Sequence, residues 1–110
     1  MLTIKVLTQD FEDWGEDVDD FYVCFQVDIG CEDILGSGDM FSFEVVSPKR
    51  LARIIQDSDI EIGRGYLIMN DFNIKHIEST VNQIISKCQN ADYDVAMKEL
   101  SKYFRWEMDT

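Results

Sequence analysis

The segment FYVCFQVDI, residues 21–29, constrains the fold more strongly than any other stretch of the sequence. Its odd-numbered residues are all apolar, and its even-numbered residues are polar or amphipathic. Side chains of a strand point alternately to its two faces, so this pattern predicts a strand with one packed and one solvated face. Residues 2–6 and 41–45 show the same alternation, and three such runs in succession predict an antiparallel meander.

Helical patterns fill most of the second half of the chain. Ser47 and Pro48 begin a short amphipathic helix, because serine is a preferred N-cap and proline fits the first helical turn. Apolar residues recur at helical spacing from about residue 73 to residue 89, which predicts the longest helix. Asp92 can cap a final helix that carries apolar residues as far as Phe104.

One more strand completes the predicted fold. The apolar run GYLIMND, residues 65–71, lies between the first two helices and is suited to a central strand. The order of the elements predicts a single α+β domain over residues 1–110. Its mainly antiparallel sheet has about four strands, and three helices pack on one face.

Composition and length indicate one folded, cytoplasmic domain. A chain of 110 residues buries roughly two-thirds of the surface that it exposes when unfolded, and 45% hydrophobic residues are too many for an acidic disordered tail. Three cysteines without a C-x-x-C pair favour free thiols in a reducing compartment. We find neither a signal peptide in residues 1–8 nor a run near the roughly 18 apolar residues that a membrane span needs.

The negative charge is concentrated in the first half of the chain. Between Val6 and Pro48 there are twelve Asp and Glu and no Lys or Arg, whereas residues 49–110 carry nine basic and ten acidic residues. Seven of the carboxylates lie in residues 10–20, which we call the acidic stretch. A net charge of -12 disfavours contact with nucleic acid and with anionic membranes, because both are negatively charged.

No catalytic motif emerges from the sequence. The only histidine, His76, falls on the polar face of the longest predicted helix, so a serine or cysteine nucleophile lacks the usual base. The glycines of GSGD and IGRGY do not follow the strand-to-helix pattern of a phosphate loop. Cys24, Cys31 and Cys88 are too scattered to complete a tetrahedral zinc site with one histidine. The sequence therefore predicts a non-enzymatic protein without a cofactor.

The acidic stretch partly fits a calcium loop. Asp10, Glu12 and Gly15 match positions one, three and six of an EF-hand, but Trp14 and Phe21 occupy positions five and twelve, where oxygen ligands are required. We therefore predict no metal site. Two interpretations remain, a solvated loop that keeps the protein soluble and a surface for a cationic partner. Trp14 fits either a partner contact or a ring folded back onto the sheet.

Three motifs resemble a known family. An F-x-F strand leads to a proline and a leucine-bearing helix in FSFEVVSPKRLARII, a G-R-x-x-L-I strand leads to the long helix in GRGYLIMNDFNIKHIESTVNQII, and FRWEMD supplies a W-E ending. Over roughly residues 20–108 this succession resembles the immunity protein 8 family of bacterial polymorphic toxin systems. Gly65 and Met108 depart from the pattern, which has a larger residue and an aromatic residue there. The fitting positions are Phe41, Phe43, Pro48, Leu51, Gly63, Arg64, Leu67, Ile68, Trp106 and Glu107.

The resemblance implies an antidote that binds and neutralises a toxin domain, as in contact-dependent growth inhibition. Many such toxins are nucleases with basic grooves, and an acidic surface complements such a groove. We therefore predict a cationic toxin partner, a ribonuclease or another nuclease, and no direct contact with nucleic acid or membrane. The predicted partner contacts are Asp10, Glu12, Asp13, Trp14, Glu16, Asp17, Asp19, Asp20, Asp28, Glu32, Asp33 and Asp39. Secondary candidates are Arg64, Trp106 and Glu107.

Two other functions are compatible with the acidic sequence. A small adaptor or nucleic-acid mimic would bind several basic proteins weakly and with strong salt dependence, whereas an antidote would hold one partner tightly. A calcium-binding module would gain thermal stability from calcium and lose it to a chelator.

Overall fold

The computed structural model describes residues 1–36 and 38–108. Within these ranges the chain forms five strands and three helices, which confirms the predicted α+β class. In chain order the elements are β1 (Leu2–Trp14), β2 (Phe21–Cys31), β3 (Asp39–Val46), α1 (Pro48–Ser58), β4 (Tyr66–Ile68), α2 (Ile74–Cys88), α3 (Tyr93–Leu100) and β5 (Arg105–Trp106).

The strands form one mixed sheet in the order β1-β2-β3-β4. The first three strands are antiparallel, as predicted, while β4 runs parallel to β3. The short strand β5 pairs antiparallel with Phe41 and Ser42 of β3. The expectation that residues 65–71 form a central strand was wrong, because only three of them form β4 and β4 lies at the edge of the sheet. After β4 the chain enters α2 instead of adding a further strand beyond it.

Strand β1 is much longer than the sequence pattern indicated. It continues through Trp14, so the first part of the acidic stretch is strand and not loop. The register with β2 shifts between Ile4 and Val6 and again between Gln9 and Phe11, which marks two irregularities of the β-bulge type. Each extra residue reverses the alternation of side chains, and this explains why no single period of two runs through the whole strand.

The core lies between one face of the sheet and the helices α2 and α3. The odd-numbered residues of β2 and the residues Phe41, Phe43 and Val45 of β3 are almost completely buried, as their alternation predicted. The rings of Phe25 and Phe43 stack with their centroids 5.2 Å apart. Burying one such side chain stabilises the fold by about 1.5–3 kcal/mol. The opposite face of the sheet, which carries the even-numbered residues of β2, is called the open face below.

The predicted N-caps of α1 and α3 are confirmed. The Ser47 hydroxyl accepts a hydrogen bond from the Arg50 backbone N–H at 3.1 Å, and the Asp92 carboxylate accepts from the backbone of Asp94 at 3.0 Å. The predicted extent of α3 was wrong, since the helix ends at Leu100 and not at Phe104. Phe104 instead packs against Phe43 from the turn that leads into β5, because pairing with β3 requires an extended backbone there.

Helix α1 is attached to the sheet differently from the other two helices. Among the described residues, none of its side chains belongs to the hydrophobic core cluster. Leu51 and Ile54 are half-buried, Ile55 is exposed, and the residue of α1 that is buried is Arg50. Polar contacts therefore carry much of the attachment of α1.

None of the helices in the described ranges is long and apolar enough to cross a membrane.

Candidate partner-binding surface

The acidic stretch spans the end of β1, the turn of the β1–β2 hairpin and Asp20, just before β2. Strand β1 supplies Asp10, Glu12 and Asp13, and the turn supplies Glu16, Asp17 and Asp19. The Gly15 N–H donates to the Asp20 carbonyl at 2.7 Å and closes the turn. A Cβ atom at residue 15 would overlap the Asp20 carboxylate, so glycine is required there for a close approach and not for a calcium loop.

Asp20 is the buried centre of an ion-pair cluster. Its carboxylate accepts a hydrogen bond from Arg50 Nε at 2.6 Å and pairs with Arg53, and only 7% of its side chain is exposed. Arg50 also donates from Nη1 to Asp13 at 2.9 Å and from Nη2 to the Asp20 carbonyl at 3.2 Å. Burial by itself raises the pKa of Asp20, but the hydrogen bonds and positive charges of Arg50 and Arg53 outweigh it and hold that pKa below its usual value.

The turn is paired with α1 as well. Lys49 Nζ donates to Asp17 at 2.5 Å and lies 3.6 Å from Asp19, and all three side chains are exposed. The hydrogen bond to Asp17 raises the pKa of Lys49. Lys49 and Arg50 lie in the first turn of α1, where the helix dipole disfavours cations, and the carboxylates balance their charge. Three basic residues of α1 therefore pair with the four carboxylates that we call the compensated set, Asp13, Asp17, Asp19 and Asp20.

The other three acidic residues have no such partner. No basic residue in residues 1–36 or 38–108 forms an ion pair with Asp10, Glu12 or Glu16, which we call the uncompensated set. Asp10 accepts a hydrogen bond from the neutral side chain of Gln26 at 3.4 Å, and Glu12 accepts one from Gln9. All three carboxylates belong to exposed residues. Within the acidic stretch, the uncompensated set therefore leaves negative charge available to another molecule.

Trp14 lies at the rim of the core beside the acidic residues. Its ring centroid is 5.2 Å from that of Phe21 and 5.6 Å from that of Phe72. The residue is still 42% exposed, so the ring packs on the sheet and also presents surface to solvent. The two interpretations of Trp14 are thus compatible with each other.

The remaining predicted contacts lie at the other end of β2. In the antiparallel register Trp14 faces Phe21 at one end, while Leu2 faces Cys31 at the other, about 30 Å away along the strand. Glu32 and Asp33 are exposed in the turn after β2, and Asp28 lies on the open face. The structure therefore does not bring all twelve predicted contacts together.

The Asp39 carboxylate forms hydrogen bonds within the fold. Its carboxylate accepts a hydrogen bond from the Tyr93 hydroxyl at 2.5 Å and another from the Trp106 indole N–H at 3.2 Å. Burial, followed by the hydrogen bond to Asp39, raises the pKa of Tyr93. These bonds tie α3 and β5 to the start of β3.

The secondary candidates Arg64, Trp106 and Glu107 also make contacts within the chain. Trp106 stacks on Phe41 with a centroid distance of 6.3 Å, and Glu107 Oε1 accepts from the Met40 N–H at 3.2 Å. Arg64 Nη1 donates to the Ser101 carbonyl at 3.3 Å. The contacts of Trp106 and Glu107 join β5 to β3, which explains the W-E ending of the sequence.

Sequence analysis missed a polar group on the open face. Glu44 accepts a hydrogen bond from Arg105 Nη2 at 2.7 Å and a second from Arg105 Nη1, and Arg105 Cζ lies 5.9 Å from the centre of the Tyr66 ring. Gly65 has a φ of +90°, and a Cβ there would lie 2.9 Å from Arg105 Cζ, so this departure from the family pattern makes room for the guanidinium. Strand alternation places Glu44 on this face, but no local signal reveals a partner 61 residues away.

The family comparison covers the whole chain. The model of the family described as Immunity protein 8 matches residues 1–110. The chain belongs to the immunity protein 8 family. The match includes residues 1–19, which the motif resemblance did not reach, so the β1–β2 hairpin is part of the domain that defines this family. No curated protein and no solved structure matches the chain of this immunity protein.

The described residues do not offer an evident site for a metal ion. Within residues 1–36 and 38–108 no group of three or more His, Cys, Asp or Glu side chains is arranged to hold one. The carboxylates of Asp13 and Asp20 are instead paired with guanidinium groups.

Proposed function

We propose that this immunity protein neutralises a cationic toxin domain, a ribonuclease or another nuclease, by binding it in the cytoplasm through an acidic surface centred on the uncompensated set. The observation that carries the proposal is the exposure of Asp10, Glu12 and Glu16 without a cationic partner among the described residues. A nuclease must attract phosphate, so its substrate groove carries Lys and Arg. The exposed carboxylates would bind those basic side chains in place of the phosphates and so exclude the substrate.

The net charge adds a kinetic advantage. A protein with a formal charge of -12 steers a basic partner toward itself over a range of about 8–10 Å at physiological salt. Fast capture favours an antidote, because the toxin is removed before it reaches its nucleic acid substrate. The immunity protein then acts by binding alone and needs no chemistry of its own.

Co-purification and growth rescue test the proposal directly. The probe is the protein encoded by the open reading frame beside this gene, expressed with and without the immunity protein. We expect a tight one-to-one complex and restored growth. Weak binding to many unrelated basic proteins, without rescue, would instead identify an adaptor or nucleic-acid mimic.

Two matched triple variants locate the binding surface. The first carries Asp10→Asn, Glu12→Gln and Glu16→Gln, and the second carries Asp13→Asn, Asp17→Asn and Asp19→Asn. Both remove three negative charges, so long-range steering changes equally and any difference reports local contact. We expect the first variant to lose about tenfold or more in affinity and the second to lose clearly less. Equal losses measured by calorimetry would place the contact elsewhere.

A further inference from the structure

The hydrogen-bond pattern of β2 shows which way each backbone group points. The Gly15 N–H donates to the carbonyl of Asp20 at 2.7 Å, and the Ser47 N–H donates to the carbonyl of Phe21 at 3.2 Å. Backbone groups of successive residues in an antiparallel sheet point alternately to the two neighbouring strands. Even-numbered residues of β2 therefore bond to β1, and odd-numbered residues bond to β3.

The register then shows which way the backbone N–H and C=O groups of β1 point. The residues of β1 that face odd-numbered residues of β2 turn their N–H and C=O groups away from the sheet. Leu2 faces Cys31 and confirms this, because its N–H donates to Gln89 Oε1 and its carbonyl accepts from Gln89 Nε2, both at 2.9 Å. In the second half of β1 the outward residues are Leu7, Gln9, Glu12 and Trp14.

This second half is an unoccupied sheet edge. Whereas Gln89 occupies the outward groups of Leu2, no residue of the described ranges bonds to the outward backbone of residues 7–14. Residues 8–14 are exposed, and β1 is the terminal strand of the sheet. An edge of this kind is a template for an added strand unless it is blocked.

The charges along the edge select the added strand. The residues Asp10, Glu12 and Asp13 follow one another closely, and after Lys5 the strand contains no basic residue. If a second copy of this chain paired here, like charges would face each other across the two strands, which is destabilising. A strand that bears Lys or Arg would find opposite charges at the same places.

We propose that the edge of β1 over residues 7–14 receives an extended, Lys- or Arg-bearing segment of the toxin as an additional strand of the sheet. Main-chain hydrogen bonds would supply affinity, and the carboxylates would supply selectivity. Phe11 shares the open face with Cys24, and Trp14 shares the core face with Phe21, so an exposed aromatic ring flanks the edge on each face. This inference rests on the proposed function, since it describes how the same toxin is held.

Residue-resolved amide exchange tests the edge directly. The immunity protein is compared free and bound to the protein encoded by the adjacent open reading frame. We expect the amides of Leu7, Gln9, Glu12 and Trp14 to exchange at least about tenfold more slowly in the complex, while the amides of the exposed turn residues Asp33 and Leu35 stay unchanged. Protection that grows with concentration in the free protein would mean pairing between two copies, and would overturn the proposal.

A proline at an outward position provides the matching mutational test. Gln9→Pro removes an N–H that makes no bond within the described sheet, and its control Gln9→Thr keeps the N–H while changing the side chain. We expect Gln9→Pro to bind the toxin about tenfold more weakly than Gln9→Thr, because a hydrogen bond is lost and the ring crowds the added strand. Equal affinities, or a complex with unprotected edge amides, would overturn this inference alone. Failure of the wild-type protein to bind would overturn the proposed function as well.

Discussion

The compensated and uncompensated sets lie side by side on one hairpin, yet they differ in what their charges do. Asp13, Asp17, Asp19 and Asp20 are bound by three basic residues of α1, while Asp10, Glu12 and Glu16 have no cation among the described residues. The first group attaches a helix that contributes nothing to the core cluster, and the second leaves charge exposed. The number of charged residues in a stretch of sequence therefore does not show how many of them are available to contact a partner.

The compensated set also contains one buried carboxylate, Asp20, whereas its other three members are exposed like the uncompensated set. Asp20 and Arg50 form a pair whose side chains are only 7% and 8% exposed, so each would be an uncompensated buried charge without the other. Asp10 is exposed and its hydrogen bond to Gln26 is long, at 3.4 Å. Substitutions of Asp20 and of Asp10 should therefore have very different costs in folding free energy, and this difference can be measured.

The largest expected effect comes from Asp20→Asn. The substitution leaves the buried Arg50 guanidinium without its closest anion, and we expect the free energy of unfolding to fall by about 3 kcal/mol. The matched control Asp10→Asn makes the same chemical change at the exposed site and should stay within about 0.5 kcal/mol of wild type. Urea denaturation measures both. Similar losses for the two variants would erase the distinction between the sets.

Acid should selectively remove the contribution of Asp20 to the free energy of unfolding. The folded-state pKa of Asp20 lies below the ordinary pKa of an aspartate, so its stabilisation is fully present above that ordinary value and is lost as the pH falls through the folded-state pKa. The gap in unfolding free energy between wild type and Asp20→Asn should be constant near neutral pH and should shrink below about pH 4. A gap that stayed constant to lower pH would contradict the role of the ionised carboxylate.

The smallest expected effect comes from Lys49→Met. Lys49 and its partners Asp17 and Asp19 are exposed, so solvent and salt screen their attraction. We expect a slight decrease in Tm at low ionic strength that disappears at about 1 M salt. A decrease as large as that of Asp20→Asn, or one insensitive to salt, would show that the exposed pairs also hold α1 in place.

Much of the fold could be predicted because its signals are local. The alternation in residues 21–29, the caps Ser47 and Asp92 and the spacing of the longest helix all depend on neighbouring residues. The length of β1, the edge position of β4 and the strand β5 could not be predicted in this way. The two register shifts interrupt the alternation of side chains along β1. Strands β4 and β5 have only three and two residues, which are too few to show a period.

The candidate surface was predicted only in outline. The sequence located the acidic stretch, but it did not identify Arg53 as a partner of Asp20. It also grouped Asp28, Glu32, Asp33 and Asp39 with the acidic stretch, although most of the length of β2 separates them from the turn of the hairpin. Distances across a sheet depend on register, and register depends on bulges that composition does not reveal.

The amino-acid sequence by itself determined the class of the fold, the sign of the charge and the family of this protein, because periodicity, composition and motif order are properties of the chain alone. Tertiary structure decided which carboxylates are free. An ion pair such as Asp20 with Arg50 joins residues thirty positions apart, and only the packing of α1 against the hairpin brings them within 2.6 Å. The same packing leaves the backbone edge of β1 open, since α1 pairs with the turn and with the side chain of Asp13 and not with the backbone of β1.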